Sequence, residues 1–460
     1  MATTDTARFD LPGFSGELLY PGDPAHDEAR AVFNAMIDRS PVLIAVCRTA
    51  DDVVAAVNLA RREGITLSVY GGGHGVTGSA VVDGGICVDL RGMKGISVDP
   101  EAQTVRAEGG VTWGEFDAAT ADQGLAVTGG RVPSTGIAGL ALGSGSGWLE
   151  RKFGFTCDNL IRAEVVTADG RKVVASETEN PDLFWGLRGG GGNFGIVTAF
   201  HFRLHPLPPA ILAGMLVWPV EVGVDLVRFY RDFMLQAPDE VGGGIAFITA
   251  PPADFVPPAV QGHPVIGMVV TYAGPPEEGE RVVAPLREFG PPAVDLVDAM
   301  PYVVAQQLIE PSTPHGMQNY WTADFYDRLP DEAVDVLVGH ATKPVSPLAQ
   351  VLVVSGGGAI ARVPDDATAF GQRHSEWNIH YLSMWPDPAD NATNIEWTKT
   401  IHAAMKPWAA GGVYLNYIGD EGQDRVESGF GPEKYRRLQA LKTKWDPDNL
   451  FRHNQNIRPA

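Results

Sequence analysis

The sequence "SPVLIAVCRTADDVVAAVNLARREGITLSVYGGGHG" (residues 40–75) decides the fold of this chain. An apolar run typical of a buried strand is followed by an amphipathic helix and by a second short strand that ends in three glycines. Thr49 stands where a helix N-cap is expected, and Gly64 stands where the helix should end. The pattern predicts a strand, a helix, a strand and a glycine loop that carries one histidine, His74.

The rest of the chain alternates helices and strands. The segment "NLIRAEVVTADGRKVVAS" pairs two alternating runs across Asp169 and Gly170, which predicts a β-hairpin. Residues from about 210 to 400 mix strands such as "HPVIGMVVTYAG" with helices such as "PDEAVDVLVGHA". The prolines of "LHPLPP", at residues 204–209, are typical of a boundary between domains. We therefore predict an α+β protein with more than one domain.

The bulk composition disfavours several classes of protein. With 460 residues, 44% of them hydrophobic and 20% charged, the chain has the composition of a globular protein and lacks a membrane-spanning run. The net charge of −21 disfavours nucleic acid and anionic membranes as partners. The amino terminus has no basic segment followed by an apolar one, and three cysteines are too few for a disulfide framework. We expect a cytoplasmic location, and the oligomeric state stays open.

Glycine is concentrated in three segments, "GGGHGVTG" (71–78), "GIAGLALGSGSG" (136–147) and "GGGGNFG" (189–195). Glycine permits positive φ and lets backbone N–H groups approach an anion, so such loops can hold a phosphate-bearing ligand. An ordinary turn is the alternative for any one segment, and three together favour an extended ligand. The segments do not match the P-loop, the Rossmann fingerprint or the nucleophile elbow, and no H-E-x-x-H occurs. Nicotinamide enzymes, serine hydrolases and metalloenzymes are therefore disfavoured.

Five motifs follow one another along the chain: "GGGHG", "TGGRVPSTGIAGLALGSGSGWLERKFGFTCDNL", "ENPDLFWGLRGGGGNFGIVTAFHFRL", "YLNYIGD" and "KWDPDNLFRHNQNI". In this order they resemble the berberine bridge enzyme branch of the vanillyl alcohol oxidase superfamily, whose members are covalent-flavin oxidoreductases. The resemblance implies an FAD-binding domain built from residues 1–205 and 405–460. It also implies a central substrate-binding domain, residues 206–404, with an antiparallel sheet flanked by helices.

The same resemblance implies a covalent bond between FAD and His74, which stands at the family's histidine position. A neutral imidazole nitrogen is a competent nucleophile towards an activated methyl group of the flavin. On spacing alone, a hydrogen-bonded loop histidine is the alternative. Many relatives attach the flavin a second time through a cysteine, and here Val132 stands at that position. We therefore predict a single attachment and interpret Cys157 as a small buried residue.

The resemblance also assigns the remaining cofactor positions. Thr135 stands where the family controls the access of oxygen to the reduced flavin. The predicted cofactor-binding residues are His74, Gly71, Gly72, Gly73, Gly75, Val132, Thr135, Gly136, Gly139, Gly143, Trp148, Asn159, Gly195, Val197, Asn416 and Asn454.

Oxidation of a C–H bond by a flavin requires a base for the adjacent O–H or N–H proton. The resemblance places this role in the segment "YLNY", which we predict to be a strand. Alternation along a strand puts Tyr414 and Asn416 on one face and Tyr417 on the other. We predict Tyr417 as the residue that contacts the substrate or acts as the base, with Tyr414 as the second catalytic candidate. Packing aromatics on a half-buried strand are the alternative.

These features predict an FAD-dependent oxidoreductase that oxidises a small organic metabolite, with dioxygen as the expected electron acceptor. The segments "QNYWTADFY" and "HSEWNIHYLSMW" favour an aromatic or natural-product-like substrate. Tyr320, Trp321, Arg373 and His374 are candidates for the substrate side, with a surface or core position as the alternative. Two other functions stay open: a carbohydrate or amine oxidase or dehydrogenase of the same fold, and a flavin-binding module without catalysis.

Overall fold

The structure is a computed structural model that describes residues 8–254 and 256–460. Residues 1–7, part of the amino-terminal segment that is expected to lack a secretory signal, lie outside the described residues. The helices are α1 (His26–Ala29), α2 (Ala50–Glu63), α3 (Trp113–Ala121), α4 (Ile137–Leu142), α5 (Glu150–Phe153), α6 (Pro181–Leu187), α7 (Gly223–Met234), α8 (Pro276–Glu288), α9 (Tyr302–Ala305), α10 (Asp331–Ala341), α11 (Gly358–Arg362), α12 (Asn391–Met405), α13 (Gln423–Phe430) and α14 (Pro432–Trp445).

The amino-terminal sheet contains the unit predicted from residues 40–75. Its strands are β1 (Glu17–Leu19), β2 (Leu43–Val46), β3 (Leu67–Tyr70) and β4 (Ile86–Asp89), in the order β1-β2-β4-β3 with β2, β4 and β3 parallel. The Thr49 side chain accepts a hydrogen bond from the Asp52 N–H at the start of α2, and Gly64 ends the helix with a φ of 65°. The predicted cap and helix end are confirmed, and the first glycine segment follows β3 directly.

A second, antiparallel sheet follows. The strands of this region are β5 (Ile96–Asp99), β6 (Thr104–Glu108), β7 (Leu125–Ala126), β8 (Leu160–Val166), β9 (Lys172–Ser176), β10 (Ile196–Arg203) and β11 (His205–Pro206), of which β7 and β11 form a separate two-stranded sheet. Five strands lie in the order β5-β6-β10-β8-β9, and β7 pairs with β11. The predicted hairpin is β8 and β9, and it turns at Gly170, whose φ of 79° is one that glycine adopts at no steric cost.

The central region forms one large antiparallel sheet. Its strands are β12 (Ile211–Pro219), β13 (Val241–Thr249), β14 (Pro264–Tyr272), β15 (Val294–Asp295), β16 (Asp298–Met300), β17 (Gln318–Tyr326), β18 (Gln350–Ser355) and β19 (Trp377–Trp385). They lie in the order β15-β12-β14-β13-β18-β19-β17, and β16 pairs with β12. Alternate residues of one face pack against α7, α8, α10 and α12. The opposite face of β17, β18 and β19 is left for the site described below.

The last part of the chain returns to the first. A hydrophobic core contains residues of the range 105–204 together with Leu438, Leu441 and Trp445 of α14. A separate core joins the central sheet to its helices. These cores support the predicted division at residues 205 and 405, which stays a prediction. The α+β class is confirmed, and within the described ranges every helix is too short or too polar to cross a membrane.

Candidate active site

A cavity of about 360 Å³ lies between the glycine segments and the central sheet. Its walls come from all three glycine segments, from the free face of β17 to β19, and from residues 414–418 and 451–455. Fourteen of the predicted cofactor-binding residues line it: His74, Gly71, Gly72, Gly73, Gly75, Val132, Thr135, Gly136, Gly139, Gly143, Gly195, Val197, Asn416 and Asn454.

The first two glycine segments touch through their backbones. A Cβ atom at Gly72 would collide with the backbone of Gly136, and one at Gly136 would collide with Gly72. The second segment also meets the C-terminal part of the chain, because a Cβ at Gly143 would collide with the Asn416 side chain. The Asn416 Nδ2 donates to the Leu140 carbonyl oxygen (3.1 Å). Glycine at these positions therefore allows three distant parts of the chain to meet.

The third glycine segment is held by its neighbours on both sides. The backbone N–H groups of Gly189 and Gly191 donate to the Leu142 carbonyl at the end of α4 (3.0 and 2.9 Å). From the other side, Asn454 Nδ2 donates to the Gly192 carbonyl (3.1 Å). The C-terminal segment 451–455 is thus bonded to the glycine segment that it faces.

Three glycines of the lining have no structural reason to be glycine. Gly75, Gly139 and Gly192 all lack a positive φ. Around the Cβ position of Gly139 and of Gly192, no atom of the described residues lies within 4 Å, and at Gly75 the nearest is Thr77 Oγ1 at 3.9 Å. Glycine in the interior of a helix such as α4 costs about 0.5–1 kcal/mol relative to alanine. A side chain at these positions would occupy the cavity, so their glycines keep room for a ligand.

His74 lies in the cavity wall as a neutral imidazole. Its ring stacks on Phe33, with ring centroids 4.1 Å apart and planes 15° apart. Burial, followed by the nearby His315, lowers the pKa of His74 to about 4. Its Nε2 is buried and finds no hydrogen-bond partner among residues 8–254 and 256–460. A neutral ring with an unpartnered nitrogen is the state that nucleophilic attack requires.

The "YLNY" segment is not a strand, so the predicted alternation of its side chains is wrong. Leu415–Tyr417 form a 3₁₀ turn, in which the Tyr417 N–H donates to the Tyr414 carbonyl (2.9 Å). The turn places both tyrosines on the cavity wall, with ring centroids 4.4 Å apart in an edge-to-face arrangement. Tertiary hydrogen bonds of the Tyr414 hydroxyl favour this turn over the extended form.

The two tyrosine hydroxyls differ in their hydrogen bonding. The Tyr414 oxygen accepts the N–H groups of Gly145 (3.1 Å) and Ser146 (2.9 Å), which join the second glycine segment to the "YLNY" turn. Burial raises the pKa of Tyr414 well above its usual value. The Tyr417 oxygen accepts one hydrogen bond, from Arg131, and can make another. Tyr414 is therefore bound within the protein, and Tyr417 is the tyrosine with a free hydrogen-bonding position.

Arg131 is a candidate functional residue that sequence analysis missed. It donates to the Tyr417 hydroxyl (2.8 Å), to Ser146 Oγ (2.9 Å) and to Glu150 Oε1 (3.0 Å). Burial disfavours its charge, but Tyr417 and Glu150 outweigh burial and raise the pKa of Arg131 above its usual value. The available signal was one arginine in the otherwise uncharged run of residues 127–147. Arg131 is therefore a buried cation, balanced by Glu150, that orients the Tyr417 hydroxyl.

Other predicted residues lie outside the cavity lining. The Trp148 ring packs against the Arg131 guanidinium, with the guanidinium carbon 4.7 Å from the ring centroid. Asn159 uses its amide to donate to the carbonyls of Phe153 and Phe155 (2.9 and 3.0 Å). The predicted cofactor contact of these two residues stays a prediction, and in the structure their side chains contact other parts of the protein around the cavity.

The substrate-side candidates of the central region also divide into residues that line the cavity and residues that do not. Trp321 lines the cavity, whereas Tyr320, Arg373 and His374 do not. Arg373 is fully buried against Asp158 (2.7 Å). His380 of β19 was missed by sequence analysis, although it lines the cavity and stacks on Tyr417 at 4.1 Å. The only signal available in the sequence was the aromatic-rich segment "HSEWNIHYLSMW", which contains His380.

The residues of the cavity fit a bound FAD. One glycine of each segment borders open space, namely Gly75, Gly139 and Gly192, and the buried Asn454 Oδ1 and His74 Nε2 lack partners within the described ranges. Such polar atoms are normally satisfied in a folded protein, so a polar ligand is expected against them. Groups of three or more His, Cys, Asp or Glu side chains that could hold a metal ion are absent from the part of the chain that the structure describes.

Comparison with known proteins shows similarity to FAD-linked oxidoreductases, in agreement with the fit of the cavity to FAD. Residues 41–176 match the family described as FAD binding domain, and residues 413–458 match the family described as berberine and berberine like. The chain is 33% identical over 458 residues to (R)-6-hydroxynicotine oxidase from Paenarthrobacter nicotinovorans, covering 96% of this chain and 97% of that protein. It is 31% identical over 431 residues to an FAD-linked oxidoreductase from Dictyostelium discoideum, covering 93% and 91% of the two chains. The crystal structure of 6-hydroxy-D-nicotine oxidase from Arthrobacter nicotinovorans matches with a TM-score of 0.87 and 30% identity, over 100% of both chains.

Proposed function

Because the chain belongs to the berberine bridge enzyme-like FAD-linked oxidoreductases, it is an FAD-dependent enzyme, and we propose that it oxidises a C–H bond of a small aromatic or natural-product-like metabolite. The predicted vanillyl alcohol oxidase-type fold is confirmed by the full-length structural match. We further propose dioxygen as the electron acceptor, since the similar (R)-6-hydroxynicotine oxidase is an oxidase.

The cavity is the observation that carries the proposal. The backbone of residues 71–75 and 189–192 and the amide of Asn454 would hold the cofactor, because these groups line the cavity. Within these two ranges, Gly75 and Gly192 border open space. When bound, FAD supplies the redox chemistry, accepting a hydride from the substrate carbon and passing two electrons to dioxygen. Thr135, a small side chain of the lining, is the proposed control on the access of dioxygen.

His74 is the proposed site of covalent attachment. Its neutral imidazole and unpartnered Nε2 support this role, because a protonated nitrogen has no lone pair to offer and a hydrogen-bond acceptor has its lone pair engaged. Val132 occupies the second attachment position of many relatives and has no nucleophilic atom. Cys157 is fully buried in a hydrophobic cluster and is absent from the cavity lining. We therefore propose a single bond between protein and flavin.

Tyr417 is the proposed residue for proton transfer. A guanidinium has only donors, so the Tyr417 oxygen accepts from Arg131 and its remaining hydrogen-bonding position is free for the substrate. Tyr414 is not equivalent, because two backbone N–H groups and the buried surroundings hold its hydroxyl within the protein. In this proposal Arg131 orients Tyr417, and Tyr414 holds the second glycine segment in place.

A cytoplasmic location is also proposed. Cys47, Cys87 and Cys157 are unpaired and buried, as expected for a protein of a reducing compartment.

The covalent bond is tested by denaturation. Wild-type protein should stay yellow after acid precipitation, and proteolysis should leave the flavin on the peptide that contains His74. His74→Ala should release its flavin on precipitation. Release of all FAD from the wild-type protein would contradict the bond, and a His74→Ala protein that keeps covalent flavin would contradict the site.

The role of Tyr417 is tested by Tyr417→Phe. We expect kcat to fall by about 10²- to 10⁴-fold, the usual contribution of proton transfer, while flavin content is unchanged. His263→Gln, at an exposed histidine outside the cavity, is the control and should match the wild type. A Tyr417→Phe enzyme with wild-type kcat would overturn the assignment.

A further inference from the structure

One wall of the cavity is formed by the free face of the central sheet. Trp321 of β17, Leu352 of β18 and His380 and Leu382 of β19 lie on this face, because the strand register pairs Trp321 with Leu382 and Leu352 with His380. All four line the cavity, together with Ile309. We call this group the sheet wall. It is mainly apolar, and Tyr417 lies beside it, stacked on His380.

The charges around the sheet wall disfavour a cationic ligand. Among the lining residues that the structure describes there is no Asp or Glu, and the one permanent charge is Arg131. Its partner Glu150 compensates it from outside the lining. Burial and the neighbouring Arg131 lower the pKa of His380 well below its usual value, so this ring is neutral. An ammonium group here would lose its hydration, meet no counter-charge and lie near a guanidinium.

Few polar atoms of the sheet wall are free to bind a ligand. The Trp321 indole N–H donates to Asn319 Oδ1 (3.1 Å). The Gln350 amide, at the edge of the wall, donates to the Ser312 carbonyl (3.0 Å). His380 Nε2 is buried and has no partner in the described chain, and the Tyr417 hydroxyl has one free position. A ligand with many hydroxyl groups, such as an oligosaccharide, would leave most of them unpaired.

Resting on the oxidoreductase function proposed above, we propose that the substrate is a neutral, mainly apolar alcohol whose hydroxyl is bound by His380 Nε2 and the Tyr417 hydroxyl. His380 is then a residue that determines specificity for a hydroxyl over an ammonium group. With FAD bound, the cofactor would accept a hydride from the alcohol carbon, the hydroxyl proton would pass by way of Tyr417 to water, and the C–O bond would become C=O. The oxidised product is an aldehyde or ketone.

The first test compares two probes that share one skeleton. Binding of naphthylmethanol and of naphthylmethylamine to the flavin-loaded enzyme is measured by calorimetry at about pH 7, where the amine is protonated. We expect the alcohol to bind at least about tenfold more tightly, since only the amine carries a charge into the site. An alcohol that binds no more tightly than the amine would overturn the inference.

The second test changes His380. His380→Phe keeps a ring beside Tyr417 and removes the nitrogens, whereas His380→Gln keeps a polar group. We expect His380→Phe to weaken naphthylmethanol binding by about tenfold, the value of one hydrogen bond to a buried partner. Binding of methylnaphthalene should not change, and His380→Gln should recover part of the loss. Equal weakening of both probes would show a packing role and would contradict the inference.

The two proposals fail in different ways. A wild-type protein that binds no flavin, or whose flavin is reduced by neither the alcohol nor the amine, would contradict the proposed function. A flavin-loaded enzyme that is reduced by the amine in preference to the alcohol would contradict the alcohol proposal alone. His263→Gln serves again as the control for histidine substitution and should match the wild type in every measurement.

Discussion

Replacement of Gly139 by alanine should make the flavin-free protein more stable and the flavin more weakly bound. Gly139 lies within α4, has no positive φ, and has no atom of the described chain within 4 Å of its Cβ position. Alanine is therefore accepted without strain. It should add about 0.5–1 kcal/mol to the free energy of unfolding, because the unfolded chain has fewer conformations to lose. For a protein of this size, that gain raises Tm by about 0.5–1 °C.

The same methyl group projects into the cavity that the flavin is expected to fill. Inserting a methyl group into a filled, close-packed site costs about 1–3 kcal/mol. That cost corresponds to a rise in the Kd for FAD of roughly 5- to 150-fold. Gly139→Ala should therefore raise the stability of the flavin-free protein and lower its affinity for FAD, whereas general damage to the fold would lower both stability and affinity.

Both quantities can be measured in a His74→Ala background, which cannot form the proposed covalent bond, on protein expressed with limiting riboflavin. Tm of the flavin-free protein is measured by calorimetry, and Kd by the change in flavin fluorescence on titration. Gly339→Ala is the matched control, because Gly339 lies within α10, has no described atom within 4 Å of its Cβ position, and lies outside the cavity. It should show the gain in Tm without a change in Kd.

Two results would refute the reasoning. One is a Gly139→Ala protein that binds FAD as tightly as the wild type, since the space beside Gly139 would then not belong to the flavin site. The other is a loss of Tm in the flavin-free variant, which would mean that Gly139 is required by the fold itself.

Three further substitutions follow from contacts around the cavity. Tyr414→Phe leaves two buried N–H groups without an acceptor, so the free energy of unfolding should fall by about 1–3 kcal/mol; an unchanged urea midpoint would contradict this. Lys442→Met leaves the fully buried Asp446 without its cation, so the free energy of unfolding should fall by about 3–5 kcal/mol. The flavin content should fall as well, because Lys442 also bonds the carbonyls of Asn193 and Phe451 beside the cavity. Full flavin content in this variant would show that the pair does not support the site. Burial raises the pKa of Asp117 from 3.8 to about 7. Between these pH values the folded state binds more protons than the unfolded state, so the free energy of unfolding falls as pH rises from about 4 to 7. Asp117→Asn should remove this decline in Tm, and parallel Tm curves for the two proteins would disprove the role of Asp117.

Much of the fold was predictable because its signals are local. The N-cap at Thr49, the helix end at Gly64 and the turn at Gly170 each depend on neighbouring residues, and all three are confirmed. The "YLNY" segment was predicted incorrectly for the opposite reason. Its conformation depends on hydrogen bonds that the Tyr414 hydroxyl oxygen accepts from a distant loop, in which Ser146 lies 268 residues away in sequence. Strand propensity does not contain that information.

The candidate site was predictable in its glycines and much less so in its side chains. A glycine-rich segment carries its chemical meaning in its own composition, and fourteen of the predicted positions line one cavity. The contact between Arg131 and Tyr417 joins residues 286 positions apart, and the stacking of Phe33 on His74 joins two elements with no shared motif. Such pairs arise from tertiary packing, so a single sequence does not reveal them.

The return of residues 451–455 to the glycine segments affects how the protein is made. The loop at residues 71–75 leaves the ribosome early, but its opposite wall includes Asn454 and Gln455. At about 5–20 residues per second, translation separates the two by roughly 20–80 s. During that time the nascent chain has no enclosed flavin site. We therefore expect FAD to load after translation, and any delay in folding of the final segment should lower the yield of FAD-loaded enzyme.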